Sequence, residues 1–381
     1  MNPSSLPRSI GRTLIVSLLF STFAFAQHYN QVNLVSDLTT VVPAPTQPTD
    51  VHLKNPWGLA RSSSSPWWVS DNDDGSSVLF TGAGALIPIN PNGIVVVPNA
   101  PSQPAPGTPT GVVFNGNASD FLLVPGNAAT SAAFIFVTED GTISGWNPGV
   151  NRASAVIVRD HSQVPDAAHG AVYKGATISE FKGNPYLYVT NFRSGRVEVY
   201  DTNFNRVNLS EERFDDDQIP HDFAPFNVQA IGKNLFVTYA KQDAAKHDPV
   251  GGAGLGFVDV FSPSGKLLTR LEHGEWFNAP WGVVLTPGEF GVFSHTLLIG
   301  NFRSGWIAAI NPLTGKFQGF VRNPDNSVLT LDGLWALSFG NGSGAGPSTT
   351  LYFTAGLNDE NDGLFGTLTP VATELAAENQ P

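Results

Sequence analysis

The side chains able to do chemistry in this chain fall in a few short clusters. Two identical pentapeptides, Asn191-Phe192-Arg193-Ser194-Gly195 and Asn301-Phe302-Arg303-Ser304-Gly305, each set an arginine in a turn that ends in glycine. Two acid-rich runs, Asp71-Asn72-Asp73-Asp74-Gly75 and Asn358-Asp359-Glu360-Asn361-Asp362-Gly363, concentrate oxygen ligands. Guanidinium groups suit a carboxylate, sulfate or phosphate. Dense side-chain oxygens suit Ca²⁺, which takes about six to eight of them. Neither acidic run has the spacing of an EF-hand loop. In that register Ser70 and Asn358 stand first, and Thr81 and Thr369 replace the closing glutamate. The competing reading of both runs is a solvated Asp-Gly hairpin turn. His52, His169 and His221 could each serve as a base or ligand beside a carboxylate. They lack the spacing of a metalloprotease helix, so a structural role is the simpler expectation. There is no Gly-x-Ser-x-Gly elbow and no phosphate-binding loop, which disfavours a serine triad and nucleotide chemistry.

The elements that must position these groups are short strands in a repeat. The pentapeptides lie 110 residues apart, and each joins two β-rich runs. An opening glycine or its equivalent recurs at Gly58, Gly111, Gly170, Asn227, Gly282 and Gly333, every 51 to 59 residues. A second strand recurs as Trp-Trp-Val-Ser, Ile-Phe-Val-Thr, Leu-Tyr-Val-Thr, Leu-Phe-Val-Thr, Leu-Leu-Ile-Gly and Leu-Tyr-Phe-Thr. Six units of strand, turn, strand, polar turn, strand, loop and strand predict an all-β, six-bladed β-propeller with four antiparallel strands per blade. The last unit is one strand short. An isolated strand at residues 31–38 would complete it, closing the ring and removing both exposed edges. The insertion at 243–254, rich in Gly, Asp and Lys, reads as a mobile surface loop. The linkers at 43–48 and 98–109 are proline-rich, and 213–222 is an acidic connection.

Composition narrows the classes of partner. The net charge is −12, so a nucleic-acid partner is not expected. With no cysteine, disulfides and thiolate chemistry are excluded. Gly (39) and Pro (29) are abundant and only 14% of residues are charged, which suits tight turns between strands. Residues 1–26 read as a signal peptide. Arg8 and Arg12 precede an apolar run, and Ala24-Phe25-Ala26 has the form of a cleavage site. The apolar run is too short for a stable span, so none is expected after cleavage. The expected organisation is therefore 1–26 signal peptide, 27–370 propeller and 371–381 polar tail, exported to the periplasm or beyond.

Asn55-Pro56-Trp57-Gly58-Leu59-Ala60, with Trp68-Val69-Ser70-Asp71 and Val78-Leu79-Phe80, resembles the NHL-type repeat shared with gluconolactonase-like six-bladed propellers. Together with the Asn-Phe-Arg-Ser-Gly and Ala-Pro-Trp-Gly-Val segments, it also resembles an uncharacterised family of exported bacterial proteins, some of which carry PEP-CTERM tails. The stretch after Thr369 reads as polar, unlike such a tail. The resemblance implies fold and location; it supplies no reaction.

In a propeller, the turn between the second and third strands rims the central channel. Aligning the units by the second strand puts Asp71, Glu139, Asn191, Tyr239, Asn301 and Ala355 at the first place of that turn. Asp73, Gly141, Arg193, Lys241, Arg303 and Leu357 take the third. Arg193, Lys241 and Arg303 then form a cationic arc opposite an acidic one. Phe192 and Phe302 should pack between blades, and so should Trp57, Trp281 and Trp335, with sugar stacking as the second reading for the tryptophans. Asn191 and Asn301 should cap their turns. The leading expectation is a non-catalytic binding module without a cofactor, taking a small molecule, glycan or protein at the channel face. Arg193, Lys241, Arg303, Asn191 and Asn301 would hold an anionic ligand. The competing arrangement pairs each cation with a neighbouring acid or carbonyl. The rival function is a metal-dependent hydrolase of the gluconolactonase-like class. Asp71, Asp73 and Glu139 are its metal candidates, with Asn191 and Asn301 as further ligands and a divalent cation such as calcium as cofactor.

Overall fold

The computed structural model describes residues 1, 28–41, 49–210 and 213–372. The expected signal peptide, apart from Met1, lies outside them, as do the proline-rich run at 43–48 and the tail from 373. Among the described residues, twenty-four strands form six four-stranded antiparallel sheets. The inner strands of successive blades touch around the whole circuit, blade six meeting blade one. They are Pro56–Ala60, Pro109–Phe114, Tyr173–Phe181, Phe223–Ile231, Pro280–Leu285 and Leu334–Phe339. No helix among the described residues is long and apolar enough to cross a membrane.

The ring closes through the N-terminal strand, as expected. It spans Tyr29–Ser36, two residues earlier than its sequence placement, and pairs with Asp362–Pro370 as the outermost strand of blade six. Tyr29 and Val35 are fully buried, and the Tyr29 hydroxyl donates to the Phe290 carbonyl of blade five at 3.0 Å. Pairing and burial together fix the register, because a one-residue slip would turn Val35 to solvent.

Every inner strand breaks register at the same place, just after Pro56, Pro109, Tyr173, Pro225, Pro280 and Leu334. A bulge re-aims the side chain it releases. The released residues are Trp57, Thr110, Lys174, Phe226, Trp281 and Trp335. The tryptophans and phenylalanines of different blades therefore pack on one another, as the repeat suggests, but at the axis. They converge on the axis and fill it. Trp57 stacks on Trp335 with centroids 3.5 Å apart, and meets Trp281 edge-on at 6.1 Å. Phe302 stacks on Trp335 at 3.9 Å, and Phe192 lies 5.3 Å from Phe226.

This geometry explains the recurring glycine. A Cβ on Gly58 would stand 2.5 Å from the Thr110 carbonyl of the next blade, and one on Gly282 would stand 2.6 Å from that of Trp335. It also corrects two repeat positions. The equivalent residue in blade three is Gly175, not Gly170, and in blade six it is Ala336, not Gly333. In blade three the axial residue is consequently Lys174, in the place tryptophan takes elsewhere.

Candidate ligand site at the axial mouth

Strand register defines the turn positions directly. The residues facing Pro56, Pro109, Tyr173, Pro225, Pro280 and Leu334 are Asp71, Thr138, Asn191, Tyr239, Asn301 and Ala355. Blade two thus runs one residue earlier than its sequence alignment. Thr138 takes the first place, Glu139 the second and Asp140 the third.

First-place Asp71, Asn191 and Asn301 are buried and hydrogen-bonded at their turns. Asp71 is fully buried and accepts from the Val78 amide at 3.1 Å. Burial, with Asp74 and Asp50 nearby, raises its carboxyl well above the ordinary range. Asn191 donates to Glu198 at 3.1 Å and accepts from the Ser194 amide at 3.2 Å. Asn301 donates to the Trp306 carbonyl at 3.0 Å and accepts from the Asn278 amide at 2.8 Å. The two asparagines therefore cap turns, as their type and place suggest.

Second-place side chains face the axis: Asn72, Glu139, Phe192, Ala240, Phe302 and, with no side chain, Gly356. Here the axial plug becomes polar. The Lys174 side chain is fully buried, its ammonium paired with Glu139 and lying 3.3 Å from Asp248. It stands 5.0 Å over the Trp57 ring and 5.8 Å from that of Phe192. Asn72 donates to the other Glu139 oxygen at 2.9 Å. Asn55 donates to Glu360 at 3.0 Å and accepts from Trp335 Nε1 at 2.9 Å.

Third-place residues separate. Arg193 donates to the Gly170 carbonyl at 2.9 Å. Lys241 pairs with Asp222 at 3.1 Å. Arg303 donates to the Pro249 carbonyl at 3.3 Å and lies 4.5 Å from the Phe302 ring. Each cation of the arc has a protein partner, and only Arg193 reaches the cavity that opens here. That cavity, of about 510 Å³, is walled by Asp73, Glu139, Asp140, Arg193 and His247, with the 103–106 segment along one side. Burial raises the Asp73 carboxyl, and Glu139 repels it further. The same two effects raise Asp140, against hydrogen bonds from Thr108. Of the three metal-ligand candidates, Asp73 and Glu139 share this cavity; Asp71 stays inside its turn.

The 243–254 insertion is not simply a surface excursion. It docks across the mouth, where Asp248 meets Lys174, Val250 donates to the Lys241 carbonyl at 2.8 Å and Gly252 donates to Asn278 at 2.7 Å. Ligand atoms of Glu139, His247 and Asp248 lie within 4.8 Å of one another. The Lys174 ammonium sits among them and already supplies a positive charge. Of the three histidines singled out by sequence, His52 pairs with Asp74 at 3.0 Å and His169 with Asp166 at 2.8 Å. His221 borders a smaller cavity beside blade four. Lys174, His247 and Asp248 are the site residues that sequence reasoning missed. Entering unit three at Gly175 would have exposed a lysine in a tryptophan's place.

No family model matches the chain. An uncharacterised protein of Acanthamoeba polyphaga mimivirus is 28% identical over 331 residues, spanning 84% of this chain and 81% of its own. Among solved structures, a Bacteroides thetaiotaomicron protein of unknown function superposes with a TM-score of 0.54 at 10% identity, over 91% of this chain and 76% of its own. An α-L-arabinofuranosidase of Fusarium graminearum gives 0.53 at 10% identity, over 91% and 98%. These likenesses are of fold. The kinship with an exported bacterial family that the motifs suggest finds no support among these relatives.

Proposed function

We propose that the protein is an exported, non-catalytic binding propeller that seats a small hydroxyl-rich ligand, of mono- or disaccharide size, in the axial cavity. The carrying observation is the cavity's lining. Carboxylates of Asp73, Glu139 and Asp140 and the Arg193 guanidinium line one cavity of about 510 Å³, within the usual range for small-molecule sites. Sugar hydroxyls donate to carboxylates and accept from guanidinium and amide groups, so they match a mixed wall better than a simple ion of either sign. Pro104, Ala105 and Pro106 add apolar surface for the ring faces.

Catalysis by a carboxylate pair is the weaker reading. Glu139 is committed to Lys174 and Asn72, and Asp140 accepts from the Thr108 amide at 3.3 Å. The metal-dependent alternative has one supporting observation, the proximity of Glu139, His247 and Asp248. An unchanged melting point in EDTA, with no copurifying metal, would remove it. Export rests on the composition of residues 1–26. The binding reading is tested by melting curves against a panel of mono- and disaccharides that includes their uronic acids. A sugar should raise the wild-type midpoint, and Asp73→Asn and Arg193→Ala should abolish that rise while their unliganded midpoints hold. Failure of every sugar, or an equal response from both variants, overturns the reading.

A further inference from the structure

The second carboxylate on Lys174 needs a reason. Glu139 alone neutralises the ammonium, and the Glu139 side chain is itself only 10% exposed. Asp248 adds another negative charge, from a segment outside the blade framework, and its own side chain is 56% exposed. Glu360, Asp73 and Asp140 also stand near; burial raises all three carboxyls, and repulsion from Glu139 adds to it. Five carboxylates thus crowd one mouth. Burial would raise Asp248, but His247 and Lys174 outweigh it and hold its carboxyl well below the ordinary range. Lys174, Arg193, Arg303 and Lys54 offset only part of this charge, so exchanging an anion for one already present avoids the repulsion that adding one would meet.

Asp248 is the carboxylate placed for exchange. It sits on a hairpin whose base is fixed by the Val250 amide to the Lys241 carbonyl and by the Gln242–Pro249 bridge. Between those points Ala244, Ala245 and Lys246 are exposed, and Asp248 itself makes the contact with Lys174. His247 beside it forms part of the cavity wall and pairs with Asp248 at 3.1 Å. Withdrawing this hairpin would join the cavity to the ammonium beneath. Arg193, which also lines the cavity, has a buried Nε with no hydrogen-bond acceptor.

We infer that the ligand carries a carboxylate that exchanges with that of Asp248 on the Lys174 ammonium, the 243–254 insertion acting as a gate that its own aspartate holds shut. Resting on the axial seat proposed above, this narrows the ligand class to sugar acids. The ammonium keeps one partner, Glu139, throughout, and the count of carboxylates at the mouth does not change.

Acetate is the probe, titrated by NMR at constant ionic strength against chloride. Asp248→Ala empties the seat without removing a buried group, and it should bind acetate at least tenfold more tightly than wild type. Combining Asp248→Ala with Lys174→Met and Glu139→Gln, which removes the ion pair as a unit, should abolish the gain while unfolding stays cooperative. Equal affinity in wild type and Asp248→Ala, or retention of the gain in the triple variant, overturns the exchange. The two proposals fail separately. Acetate capture by Asp248→Ala with no sugar stabilising wild type leaves the exchange and removes the sugar seat. Sugar stabilisation without acetate capture does the reverse.

Discussion

Lys174 and Glu139 form an ion pair across the junction of blades two and three, both nearly out of water, with Trp57 directly beneath the ammonium. Removing one partner of a buried pair strands the other charge. Lys174→Met is therefore expected to cost about 3–5 kcal/mol in urea unfolding. The Lys174→Met/Glu139→Gln double variant should recover most of that loss, because neither charge remains. A single variant within about 1 kcal/mol of wild type would mean that water reaches Glu139 freely.

A second buried group links stability to pH. Burial and the neighbouring Asp216 push the Asp259 carboxyl up to about 8, against the opposing charge of Arg270. The native state therefore keeps a proton that the unfolded chain releases near pH 4. The stabilisation is fully present below that pH and is lost as pH rises towards about 8, with a slope of up to about 1.4 kcal/mol per unit. Melting curves from pH 5 to 9 should show this decline, and Asp259→Asn should flatten it. An unchanged slope in the variant would place the responsible proton elsewhere.

Two recurring glycines are expected to be steric requirements. Gly58→Ala and Gly282→Ala would drive a methyl group into the neighbouring backbone, and each should cost at least about 1–3 kcal/mol. Gly116→Ala is the control. It is exposed, its nearest atom lies 3.6 Å away, and it should change stability by about 0.5 kcal/mol or less. Equal costs at all three sites would show that chain entropy, not interblade contact, selects glycine.

Ring closure predicts a long-range effect at the N-terminus. Tyr29 is fully buried between the last two blades, with its ring 4.9 Å from that of Phe290. Tyr29→Ala should cost about 3–5 kcal/mol, as aromatic truncations in cores do. Deleting residues 28–36 should leave Asp362–Pro370 as an open edge and promote association, seen by light scattering. A monomeric deletion variant of undiminished stability would contradict closure through this strand.

The propeller was legible because its periodic signal is local. Glycine and a β-rich second strand recur in each unit, and the missing sixth-blade strand could be counted. The turn chemistry was equally readable: Gly195 and Gly305 each adopt φ +68°, and Asn191 and Asn301 hydrogen-bond across their turns as short amides do. Register was harder to read. Glu139 and Asp140 are adjacent acids, so the turn of blade two reads as acidic in either register and a one-residue slip leaves no sign in the sequence. In blade three, Gly170 and Gly175 compete for the same role, and choosing the first hides Lys174. The axial cluster has no sequence signature, because residues 139, 174 and 248 meet only when three blades close. The arginine arc shows the converse. Its regular spacing was visible, but each partner is decided by a carbonyl or acid far away, at Gly170, Asp222 and Pro249.

The seat of the ligand is most directly located by amide hydrogen exchange with and without a stabilising sugar. Protection is predicted at 72–73, 103–108, 139–140 and 193, with altered exchange in 243–250 as the insertion yields. Protection confined to the outer cavity of about 550 Å³ beside Arg206 and Arg213, with the axial turns unchanged, would contradict binding at the axial mouth.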